Sequence, residues 1–192
     1  FQELKLWVEA HRAGIDVNPA AWCAIELAIL DWFANQKGVP VEDFLSVPPV
    51  HGKFRYTAVV GDSGMDTFRA VTTRYRDAGF VDFKLKLTGD VERDREKIRA
   101  LHELEIDGLR VRVDANNLWE SADEAAEHLA ALDGSFFGVE EPLGVNDLGA
   151  LRRLADKTGD RMILDESFLR AEQVSALEDD PDRWIINLRV SK

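Results

Sequence analysis

The order of apolar and charged runs predicts an α/β fold, a (β/α) barrel with strands one to six present, preceded by a short helical segment. Three observations lead there. From residue 53 onward, short alternating runs take turns with amphipathic helical stretches, strand first each time. Charged residues share one face of two consecutive strands. Three acidic residues close three successive apolar runs, Asp114 after LRVRV, Glu140 after FFGV and Asp165 after RMIL, spaced 26 and 25 residues apart.

Residues 19–37 are expected to form a helix. Pro19 suits its first turn, Trp22, Ile25, Ile29 and Trp32–Phe33 recur at helical spacing, and Gly38 and Pro40 end it. The stretch VPVEDFLSVPPVHG holds three of the six prolines and marks a boundary, giving expected domains at 1–50 and 51–192. Beyond it FRYTAVV (54–60) reads as a strand and MDTFRAVTTRYRDAGF (65–80) as a helix ending near Gly79. VDFKLKL (81–87) is the next strand and VERDREKIRALHELE (91–105) the next helix, with Ile98 and Leu101 inside. Strand 109–113, helix 121–132, strand 136–140, helix 146–158, strand 161–164, helix 170–178 and strand 184–190 complete the series. Six strands separated by five helices require a parallel sheet, either doubly wound or barrel-shaped.

Strand parity favours the barrel. Lys84 and Lys86 share one face of FKLKL, and Arg110, Arg112 and Asp114 share one face of LRVRVD, with apolar residues opposite. A central strand of a doubly wound sheet is apolar on both faces, whereas these strands suit a polar barrel interior with helices outside. Lys192 departs from this pattern, because parity groups it with Leu188 and Val190 and not with Arg189. An eight-fold barrel takes about 250 residues. The chain opens on Phe1 and ends in a strand, so it is expected to be a piece lacking the last two strand–helix units and most of what preceded Phe1.

A net charge of −12 argues against nucleic acid as a partner, since the chain has no general attraction for phosphate backbones. The single cysteine, Cys23, excludes an internal disulfide and reads as a buried helix thiol. Its segment AAWCAIELAILDWFA is too short and too charged to span a bilayer, and FQELKLWVEAHR lacks the character of a secretory signal. A soluble protein of the cytoplasm, without a membrane partner, is expected.

Taken together, KLK (84–86), DAN (114–116), EEP (140–142), DES (165–167) and INLRVSK (186–192), in this order and at strand ends, resemble the enolase superfamily. The match is to its mandelate racemase/muconate lactonizing enzyme family, muconate-lactonizing-enzyme subgroup, and runs from the AAWCAIELAILDW helix to Lys192. The resemblance implies an α+β capping domain, of which the first fifty residues are a remnant, followed by a TIM-type barrel. It implies Mg²⁺ (or Mn²⁺) held by Asp114, Glu140 and Asp165, with Asn116 as a polar neighbour. Lys86 and Lys192 would face each other across a small carboxylate substrate. Lys84 would support them by contacting the substrate carboxylate or lowering its neighbour's pKa. The preference for Glu140 over Glu141 as ligand rests largely on this pattern, and the intact protein is expected to be a homo-oligomer.

The implied chemistry needs these residue types. Removing a proton next to a carboxylate creates an enediolate, whose charge a hard cation on carboxylate oxygens is suited to stabilise. The base must be neutral near pH 7, and a neighbouring ammonium or cation moves a lysine that way. Racemase, epimerase and cycloisomerase reactions use this machinery. Acid-sugar dehydratase and o-succinylbenzoate synthase are alternatives on the same scaffold, as are a non-catalytic metal- or anion-binding module and an inactive fragment. Glu141 and Glu166 are expected opposite or behind the ligands, and Arg189 lines the site or pairs inside the barrel. His11, His51, His102 and His128 fall outside the strand ends and read as helix-face or surface residues.

Overall fold

The computed structural model describes residues 1–189, which divide into two compact units: Phe1–Lys53 with the described residues Leu188 and Arg189, and Phe54–Asn187. The first unit holds helices α1 (Gln2–Ala10), α2 (Arg12–Val17), α3 (Pro19–Lys37) and α4 (Val41–Phe44). Pro19 occupies the first turn of α3, and Gly38 ends it with φ 67°, a left-handed conformation open to glycine at little steric cost. The buried residues of α3 are Cys23, Leu30 and Ala34, so the thiol is buried as expected. The anticipated stripe is displaced: Ile25 and Trp32 are 53% and 56% exposed. A helix apolar on nearly every side offers no preferred face in its sequence, and tertiary packing makes the choice. Ring contacts join these helices, Trp7 stacking on Trp22 and Phe33 on Phe44.

In the second unit, β1 (Thr57–Val60), β2 (Asp82–Lys86), β3 (Arg110–Asp114), β4 (Gly138–Glu140), β5 (Met162–Leu164) and β6 (Trp184–Ile186) form one sheet. Helices α5 (Met65–Asp77), α6 (Val91–His102), α7 (Ala122–Ala131) and α8 (Leu148–Thr158) join the first five strands. The sheet order is β1-β2-β3-β4-β5-β6, every pairing parallel. A doubly wound sheet reverses its order at a switch point, and this one does not. Sequential winding is that of a (β/α) barrel, as the sequence predicts.

The last two elements are shorter than anticipated. Ala171–Leu177 is a 3₁₀ segment where a helix over 170–178 is expected. Only Leu177 of it is buried, too little apolar anchorage to hold longer α-helical turns. The strand expected over 184–190 ends at Ile186 among the described residues. Lys192 lies outside the described residues.

Register separates the faces of the sheet. Phe83 pairs with Val111, Leu85 with Val113 and Val113 with Val139; all are buried, in one core with Phe68, Ile98, Leu101, Leu129, Leu151 and Leu154 of the helices. On the other face Lys84, Arg112 and Gly138 are in register. One step along, Lys86, Asp114, Glu140, Ile163 and Ile185 form the next row. Charge along one face is therefore a row across strands, placed there by strand parity. Polar caps start the helices that leave this end of the sheet: Asp90 accepts from the Glu92 and Arg93 amides, Ser121 from Glu124, and Asp147 from Ala150.

Candidate active site at the strand ends

Strand geometry brings Lys84, Asp114 and Glu140 together. Asp114 and Glu140 are register partners at the ends of β3 and β4, 3% and 1% exposed. Lys84, one row below, reaches up between them, with Nζ 2.8 Å from Asp114 Oδ2 and 2.8 Å from Glu140 Oε1. Burial disfavours its ammonium, but hydrogen bonds to Asp114 and Glu140 and their negative charges outweigh that, holding the amine above the usual lysine range. Lys84 thus serves as an internal counter-ion for two buried carboxylates.

Lys86 sits in the same row as Asp114 and Glu140 and is more open, its side chain 41% exposed. Its Nζ donates to Asn116 Oδ1 at 2.7 Å and lies 3.8 Å from Asp114 Oδ2. Asn116, the anticipated polar neighbour, is therefore in contact with the lysine. Asn187, beyond β6, donates from Nδ2 to Glu140 Oε1 at 3.4 Å, an interaction with no distinguishing signal in the sequence.

Asp165 follows β5 by one residue and is 6% exposed. By parity it shares the face of Ile163, one step beyond Glu140. Its backbone N–H donates to Glu141 Oε1 at 2.6 Å. Glu141 is neither idle nor turned away from the rim: both its oxygens are engaged with the segment after β5. Among the described residues no three carboxylate, imidazole or thiol groups converge closely enough to ligate an ion as they stand. The donor set nevertheless suits a hard divalent cation, being all oxygen. Glu140 Oε2 in particular is buried without a hydrogen-bond partner.

His128 is buried and lies 3.4 Å from Asp94 Oδ2 without an aligned hydrogen bond, on the helix side of the sheet. Asp94 is fully buried and accepts from the Thr88 and Gly89 amides and the Thr88 hydroxyl, fixing the turn that follows Lys86. No helix among the described residues is long and apolar enough to cross a membrane.

Parallel strands wound in sequence, with charged groups gathered at their carboxyl ends, define the class: a barrel-type α/β domain. Residues 67–192 match the family model described as enolase C-terminal domain-like, and the chain belongs to that family. The enolase-superfamily resemblance of the strand-end motifs is thereby met. The chain is similar to the L-Ala-D/L-Glu epimerase of Bacillus subtilis (strain 168), 25% identical over 183 residues, covering 91% of this chain and 48% of the relative. It is also similar to the L-Lys-D/L-Arg epimerase of Methylococcus capsulatus, 27% identical over 175 residues, covering 91% of this chain and 49% of the relative. Among solved structures, a dipeptide epimerase from Methylococcus capsulatus complexed with Mg ion aligns with a TM-score of 0.77 at 26% identity, covering 100% of this chain and 55% of that one. The chain spans about half the length of the curated relatives it matches.

Proposed function

We propose that the chain carries the first six strands of an isomerase that removes and returns the proton α to a carboxylate, in the manner of a racemase or dipeptide epimerase. The observation that carries this reading is the row Lys86–Asp114–Glu140, with Lys84 buried between the two carboxylates. The names of the curated relatives, L-Ala-D/L-Glu epimerase and L-Lys-D/L-Arg epimerase, with the similar dipeptide epimerase structure, support an amino-acid or dipeptide substrate over a muconate or an acid sugar.

Asp114, Glu140 and Asp165 are the residues that would hold Mg²⁺, which supplies Lewis-acid stabilisation to substrate carboxylate oxygens as negative charge develops. Lys86 is the base on one face of the substrate carbon. Its exposure leaves Nζ accessible from the rim, and Asn116 Oδ1 orients it. Lys192 is proposed as the acid–base group on the opposite face; two opposed amines allow a proton to leave one side and return on the other, which inverts the centre. Lys84 keeps Asp114 and Glu140 in place from below. The segment before the barrel is read as a remnant of a capping domain, and the cytoplasm as the compartment.

The test is α-proton exchange in deuterated buffer, followed by NMR on an L-Ala-L-Glu and L-Lys-L-Arg panel with Mg²⁺ present. Deuterium should enter at one α-carbon, and Lys86→Ala should lower the rate at least about 10²-fold, the contribution usual for a positioned acid or base. Exchange unchanged in Lys86→Ala would remove this residue from the reaction. Elimination or lactone products in place of an epimer would move the chain to the lyase or cycloisomerase reading.

A further inference from the structure

Glu141 follows the proposed ligand Glu140, and in a regular strand its side chain would simply alternate to the other face. It adopts φ 39° instead, a left-handed conformation uncommon outside glycine and asparagine. The residue is 1% exposed, yet no salt bridge among the described residues involves it. A buried carboxylate without a cation is costly unless its lone pairs are filled. Here they are: Oε1 accepts the backbone N–H groups of Asp165 at 2.6 Å and Ser167 at 2.8 Å, and Oε2 accepts the Ser167 hydroxyl at 2.8 Å.

The backbone of Glu141 is held as firmly. Its N–H donates to the Ile163 carbonyl and its carbonyl accepts from the Asn117 amide. Ser167 Oγ also accepts from the Asn146 amide, and Asn117 and Asn146 have positive φ like Glu141 itself. One side chain and its peptide groups thus join the loops that follow β3, β4 and β5. Those loops carry the segments on which Asp114, Glu140 and Asp165 are presented.

We propose that Glu141 is the positioning residue for Asp165, its carboxylate fixing the Asp165 amide so that the third oxygen ligand is offered to a divalent cation beside Asp114 and Glu140. This rests on the metal-site reading above. Glutamine keeps the shape but removes the charge behind all three bonds: its carbonyl oxygen can still accept the Asp165 and Ser167 amides, while its NH₂ can pair with the Ser167 hydroxyl only if that hydroxyl turns from donor to acceptor.

Titration calorimetry of the 192-residue chain with MgCl₂ and with CaCl₂ tests this, using Asp114→Asn, Glu141→Gln and Ser167→Ala. Asp114→Asn should abolish Mg²⁺ binding. Glu141→Gln should raise the Mg²⁺ Kd about 10–100-fold, the range for residues that orient metal ligands. Ser167→Ala should raise it less. The Ca²⁺ Kd should rise less than the Mg²⁺ Kd in both variants, because Mg²⁺ demands near-octahedral geometry and Ca²⁺ tolerates a loosened cage. A purely architectural role would lower the melting temperature and leave that ratio fixed, which overturns the proposal, as does an unchanged Mg²⁺ Kd in Glu141→Gln. If Glu141→Gln does not fold, an unchanged Kd and ratio in Ser167→Ala overturn it. Saturable Mg²⁺ binding that survives Asp114→Asn, or its absence from the unsubstituted chain, sinks the metal-site reading instead.

Discussion

Lys84 decides how two carboxylates can be buried side by side. Asp114 and Glu140 have side chains only 4% and 2% exposed, and like charges so close would repel strongly without the ammonium between them. Removing one partner of a buried ion pair leaves the remaining charge uncompensated, and the loss is several-fold larger than for a surface pair. Lys84→Met should therefore destabilise the protein by about 3 kcal/mol, read from the urea midpoint in metal-free buffer. Added Mg²⁺ should recover part of that loss if the carboxylates bind it. A midpoint unchanged by the substitution would show that the ammonium contributes nothing to their burial. Period-two spacing alone makes Lys84, Lys86, Arg112 and Asp114 legible as one face, since parity needs no knowledge of tertiary contacts. Glu141 was legible only as a residue opposite or behind the ligands, and its contacts were not. Its side-chain direction follows from a positive φ that no propensity of glutamate foretells, and its partners lie some 24 to 26 residues away in sequence.

At the level of the elements, local signals served well where an element carries its own start and stop. Helix α3 begins at Pro19 and ends at Gly38, both visible in the sequence; which of its sides is buried was not, because nearly every side is apolar. The segment after β5 shows the opposite limit, a helical pattern with a single buried residue that tightens into 3₁₀ geometry. Just beyond α8, burial pushes the Asp160 carboxyl above its ordinary range, with a hydrogen bond to Thr158 opposing the shift. The folded state therefore binds this proton more tightly than the unfolded chain does. Stability contributed by that proton is complete below the unfolded pKa and is lost as pH rises through the folded value. Asp160→Asn should accordingly raise the melting temperature at pH 7, and the gain should vanish below about pH 3. A gain that persists at low pH would place its origin elsewhere than the carboxylate charge.

For the molecule as a whole, strand order was the most legible property. Alternating strands and helices with right-handed crossovers leave few windings, and interior charge on consecutive strands chose between the remaining two. Relative placement at the rim was less so, since it depends on loops such as 115–121, with Asn116 and Asn117 at positive φ. Because Lys84 supplies positive charge from within, the fold carries its own counter-ion at the place where acidic groups crowd. Circular-dichroism melts should then stay cooperative in EDTA, unlike those of small domains whose assembly depends on a metal. Loss of the folded spectrum on chelation would contradict this. A fold built in this way does not have to wait for a cation before its crowded acidic rim can close, so the supply of metal and the completion of the chain's own packing become independent matters.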